Sequence, residues 1–164
     1  MPIYSNTLSD ESILRILRDK YHNILVIGCG ACMNESLAYK YKLPIYNESP
    51  DIPYATVHEL GRISELLSKN GYSVTTKYYN DINGFYCMAD VSVDRYPIDW
   101  SEKPDIILLL SCNAGVDGLQ DLLPSVNIVR ITELIGGIPY GFNDKGNQRV
   151  MDEIETTILP IKQE

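Results

Sequence analysis

Histidine is nearly absent: two occur in 164 residues. His22 and His58 stand alone and read as ordinary surface or packed histidines, so no Ser/His/Asp set has positional support. Basic runs are missing as well. The chain carries a net charge of −8 with no cluster of Lys or Arg, which excludes nucleic acid and anionic membranes as partners. That acidity serves solubility. Long apolar runs are lacking too, since the longest, around Ile24 and Ile106, are far too short to span a bilayer. Met1 to Ser9 is polar, without the charged start and apolar core of a signal peptide, so a cytoplasmic location is expected. There is no G-x-x-x-x-G-K-[ST] segment, and a G-x-G-x-x-G fingerprint fails at Met33. Repeats, linkers and low-complexity tracts are also missing. Residues 1–164 therefore read as a single domain.

What is there centres on Ile24-Leu25-Val26-Ile27-Gly28-Cys29-Gly30-Ala31-Cys32-Met33-Asn34-Glu35-Ser36. Four consecutive apolar residues suit a strand covered on both faces. Gly28 and Gly30 are expected to let the backbone turn tightly, and Asn34 or Ser36 to cap the helix that follows. The turn would then lie at the carboxyl end of a strand, where open α/β sheets place their ligands.

Around this stretch, Ser9 or Asp10 starts a helix that ends near Lys20, and a strand spans Asn23 to Gly28. A short helix is expected over Glu35 to Lys42 and a loop over Pro44 to Pro53. Next come a helix over Thr56 to Lys69, stopped by Asn70-Gly71, and a strand over Tyr72 to Tyr79. Asn80 to Gly84 reads as a turn. Asp90, Asp94 and Asp99 read as a solvated loop, and Pro97 to Pro104, with Trp100, as a connector. Asp105 to Leu110 is the clearest buried strand, followed by a helix over Val116 to Leu122 and a strand over Asn127 to Ile131. Gly136 to Gly141 reads as a loop and Gln148 to Leu159 as a final helix. This alternation predicts an α/β fold: about four mostly parallel strands with helices on both faces, flavodoxin- or Rossmann-like.

All four cysteines fit that frame. Cys29 and Cys112 follow buried strands, Cys32 is tied to Cys29 by C-x-x-C spacing, and Cys87 comes after another strand. Parallel strands end on one edge, so topology aims four sulfurs at one crevice. Four thiolates suit an iron–sulfur cluster or a structural zinc ion. Cys₄ zinc sites usually use two C-x-x-C knuckles, and here there is one, which favours the cluster. Backbone N–H groups of Gly30, Ala31, Asn113 and Ala114 are expected to face it as cofactor-binding donors. Helix N-termini beside Cys32 and Cys112 add favourable potential for an anion. Two readings stay open beside these: a Cys29/Cys32 dithiol, and four unrelated buried cysteines.

Ile-Leu-Val-Ile-Gly-Cys-Gly-Ala-Cys, the lone Cys87, and Leu-Leu-Ser-Cys-Asn-Ala-Gly-Val occur in that order. The pattern resembles the cysteine-rich domain of methylenetetrahydrofolate reductase systems, either the MetV-type partner subunit or the C-terminal domain. The resemblance spans roughly residues 23–140, with its specific content in those three motifs. It implies a [4Fe–4S] cluster on Cys29, Cys32, Cys87 and Cys112. It also implies a non-catalytic electron-transfer role beside a flavin-dependent reductase subunit in one-carbon metabolism, hence a hetero-oligomeric oxidoreductase complex. The chain departs from the family in having Met33-Asn34-Glu35-Ser36 where a further cysteine and a Gly-Gly pair are common. No cysteine follows Cys112, which leaves ligands for one cluster.

Overall fold

The computed structural model describes residues 3–49, 51–79, 103–137, 142–151 and 159–160. Strand β1 (Ile3–Thr7) leads into helix α1 (Asp10–Leu17), which runs on into a 3₁₀ turn at Arg18–Lys20. Strand β2 (Asn23–Cys29), helix α2 (Cys32–Tyr41), strand β3 (Tyr46–Asn47), helix α3 (Tyr54–Lys69) and strand β4 (Ser73–Tyr79) follow. After them come β5 (Ile106–Leu110), α4 (Asn113–Leu122), β6 (Ile128–Arg130), β7 (Thr132–Gly137), β8 (Phe142–Lys145), β9 (Gln148–Met151) and β10 (Leu159–Pro160).

The expected parallel sheet is present, with strand order β4-β2-β5-β6. All five residues of β5 are buried, as are Ile24 to Gly28 of β2, so these two strands form the centre. Their side chains alternate between two cores. Ile24, Val26, Ile106, Leu108 and Leu110 pack with Ile13 and Leu17 of α1, Met33 and Leu37 of α2, and Leu60, Ile63 and Leu67 of α3. Leu25, Ile27, Ile107 and Leu109 pack on the opposite face with Leu119 of α4 and Ile128 of β6. Each such buried aliphatic side chain contributes about 1.5–3 kcal/mol relative to exposure.

At the start of these strands, the Asp105 carboxylate accepts hydrogen bonds from the backbone N–H groups of His22 (2.8 Å) and Asn23 (2.9 Å). Those two donors hold its carboxyl below the usual aspartate range. Ser9 caps α1 as expected, its hydroxyl accepting from Ser12 N–H at 3.2 Å. Gly71, at φ +87, follows the end of α3 as the sequence indicated.

The periphery departs from expectation. Segment 132–137, read as running into a glycine loop, is strand β7, which pairs antiparallel with β1 and β10. The expected final helix is replaced at both ends. Gln148–Met151 is a hairpin strand against β8, and Leu159–Pro160 is β10. The hairpin turns at Gly146-Asn147, where Gly146 adopts φ +63, the left-handed conformation that type II′ loops require at their first position. Arg149 pairs with Asp144 across it (2.9 Å) and lies over the Tyr46 ring, which ties the hairpin to β3. Asn80 to Gly84, Asp90, Asp94, Asp99 and Trp100 lie outside the described residues.

Candidate functional site

Both cysteine turns follow from how β2 and β5 end. The strands are parallel neighbours with Gly28 opposite Leu110, and neighbouring strands run about 4.8 Å apart. Cys29 is the last residue of β2, Cys32 is the first residue of α2, and Cys112 sits between β5 and α4. All three are half-buried. The chain leaves the two strands on opposite faces: α2 packs in the core shared with α1 and α3, and α4 packs in the other. Neighbouring strands whose connections part in this way open a crevice beyond their carboxyl ends. Cys29, Cys32 and Cys112 belong to the turns at that edge.

Hydroxyl groups pin the backbone of both turns. Thr56 Oγ1 donates to the Cys29 carbonyl (2.9 Å), and Ser36 Oγ donates to the Cys32 carbonyl (2.8 Å) while accepting from Ser5 N–H (3.1 Å). On the other turn Ser111 Oγ donates to the Cys112 carbonyl (2.9 Å) and Thr132 Oγ1 to the Ser111 carbonyl (2.6 Å). The N-termini of α2 and α4 point toward the edge. Their first-turn amides lack intrahelical acceptors and carry partial positive charge, which suits thiolates or an anion. Glu35 stands in the first turn of α2, whereas that of α4 holds no acid.

Several details correct the sequence reading. Both helices begin earlier than expected, at Cys32 and Asn113. Neither Asn34 nor Ser36 caps α2: its N-cap is Ala31, and Asn34 instead bonds the Ile45 carbonyl (2.7 Å) and Thr56 N–H (2.9 Å). Gly28 and Gly30 do not adopt positive φ. Gly28 is there for close packing, because a Cβ on it would lie 2.4 Å from Thr56 Cγ2. The Gly30 N–H is already committed to the Tyr79 carbonyl (2.5 Å), whereas Ala31 stands at the N-cap of α2 and Asn113 and Ala114 open α4. Sequence reasoning missed Thr56, Ser111 and Thr132. The Thr56 contact spans 27 residues and leaves no local signal.

Cys87 lies outside the described residues. Among the described residues, no three His, Cys, Asp or Glu side chains are grouped closely enough to hold a metal ion. Cys29, Cys32 and Cys112 thus share one edge of the sheet by topology without forming such a group, and the expected four-thiolate shell also includes Cys87. Among the described residues no helix is long and apolar enough to cross a membrane. In comparisons with family models, curated proteins and solved structures, the chain matches none.

Proposed function

We propose that Cys29, Cys32, Cys87 and Cys112 hold one [4Fe–4S] cluster, and that the chain relays electrons to or from a flavoprotein reductase. The observation that carries this reading is the parallel pairing of β2 and β5, with Cys29 and Cys32 at the end of one strand and Cys112 at the end of the other. We read the parallel sheet as flavodoxin- or Rossmann-like, since the connections leaving β2 and β5 diverge as at the switch point of such sheets. The flavin partner, the pairing in a hetero-oligomer and the link to one-carbon metabolism rest on the motif resemblance. A bound cluster supplies one-electron redox chemistry. The chain's own residues supply the rest. Ala31, Asn113 and Ala114 offer N–H donors, the two helix N-termini favour negative charge, and the threonine and serine hydroxyls hold the turns in place.

The spacing of Cys29 and Cys32 across a strand-to-helix turn favours a second reading: a dithiol redox pair. Metal and sulfide analysis of protein purified without oxygen separates the two. About four irons and four sulfides per chain, with brown colour lost in Cys112→Ala, is the expected result. One zinc and no colour would point instead to a structural interaction module. Absence of metal, with a reactive thiol at Cys29, would favour the dithiol.

A further inference from the structure

The Cys29 turn is gripped by a residue from a distant helix. Thr56, in the first turn of α3, is fully buried and meets the turn and the residues on either side of it in three ways. Its Oγ1–H donates to the Cys29 carbonyl at 2.9 Å. Its methyl group occupies the space beside Gly28, so close that a Cβ there would lie 2.4 Å from Cγ2. Its N–H donates to Asn34 Oδ1 at 2.9 Å. That last bond satisfies one of the amides that the start of α3 leaves open, because Pro53 at its N-cap offers no side-chain acceptor. Asn34 is itself anchored through Nδ2 to the Ile45 carbonyl at 2.7 Å. The threonine is therefore held from one side and holds the cysteine turn from the other.

We propose that Thr56 is the positioning residue of the Cys29–Cys32 turn, setting the accessibility and ligand strength of Cys29 through its hydroxyl rather than through general packing. It deepens the metal-centre reading and rests on it where iron is concerned. The hydroxyl's grip on the turn backbone holds for a dithiol as well. Cys112 is pinned by Ser111 and Thr132, not by Thr56, and so provides a control within the same molecule.

The test compares the full wild-type chain with Thr56→Val and Thr56→Ser, all purified without oxygen. Iron content is measured first, and it alone judges the cluster. If iron is present, its release to excess chelator is timed. Loss is expected to be about three- to tenfold faster in T56V and within about twofold of wild type in T56S, the range one hydrogen bond commands. If iron is absent, alkylation of Cys29 by iodoacetamide is timed by peptide mass spectrometry against Cys112, and the same factors are expected for Cys29 alone. T56V matching wild type overturns the proposal. So does T56S behaving like T56V, or Cys29 and Cys112 accelerating together, since a merely loosened fold exposes both. Should T56V not fold, Thr56→Ala, which relieves rather than fills the space against Gly28, takes its place with the same criteria.

Discussion

The two cysteine turns differ in where their restraints come from. The Cys29–Cys32 turn is held by Thr56 of α3, 27 residues away, and by Ser36, which itself meets Ser5 of β1, 31 residues distant. The Cys112 turn is held by its immediate neighbour Ser111 and by Thr132, which follows the adjoining strand β6. One turn depends on the docking of a remote helix; the other depends on the sheet edge beside it. Disturbing α3 should thus reach Cys29 well before Cys112.

The strongest way to expose this asymmetry is to break the anchor of α3. Glu59 on α3 is completely buried, paired with Arg62 through two bonds of 3.0 Å, and accepts from the Tyr41 hydroxyl at 2.9 Å. Arg62 continues to Asp10 at 2.6 Å, so one carboxylate couples α3 to both α1 and α2. Burial opposes the charge on Glu59, but Arg62 and Tyr41 outweigh it and hold the carboxyl below its ordinary range. Burial and the same carboxylate push the Tyr41 phenol up to about 12. Glu59→Ala removes the buried partner of Arg62, which keeps Asp10, and should cost about 2–4 kcal/mol by urea denaturation. The sign of the pH effect follows from the lowered pKa. The Glu59 contribution is fully present above the unfolded value near 4.5 and is lost as pH falls through the lower folded value. Wild type should therefore lose more stability than Glu59→Gln between about pH 5 and pH 3, and equal slopes would contradict the assigned pairing.

A middle-sized effect separates the two glycines. Gly28→Ala drives a methyl into Thr56 and Leu60 and should destabilise by about 1–3 kcal/mol. Gly115→Ala meets chiefly the Ser111 hydroxyl, at 2.3 Å, which can turn away only by giving up its bond to the Cys112 carbonyl, a strain of about 1 kcal/mol. The gain of about 1 kcal/mol in helix propensity offsets that strain, so denaturation midpoints near wild type are expected. The smallest effect is Thr132→Val, which removes one hydrogen bond behind Cys112 and should cost about 1 kcal/mol. Its mark is local: Cys112 alkylation quickens while Cys29 alkylation does not.

The same contrast governs what could be read from sequence. Uninterrupted apolar runs such as Ile106 to Leu110 declare a doubly covered strand, and strand-end cysteines then follow by topology. α3 was legible from its periodic Leu60, Ile63 and Leu67. The antiparallel strands were not, because β1 buries Ser5 and Thr7 rather than an alternating set of large apolar residues. In β7 the glycine pair that reads as a loop lies flat in the sheet opposite Tyr4 and Ile3. The hydroxyl contacts behind the cysteines escaped for a different reason. Each joins residues whose proximity exists only after the sheet and helices have packed.

Asp105 carries a consequence for the far end of the sheet. By clasping His22 and Asn23, it locks β5 against β2 where both strands begin. A slip of one residue would turn every core side chain to the wrong face, so the pairing admits whole steps or none. The heights of Cys29 and Cys112 cannot drift by fractions of a step. The sheet works as a ruler with fixed graduations, zeroed by an exposed carboxylate at one end and read by two sulfurs at the other.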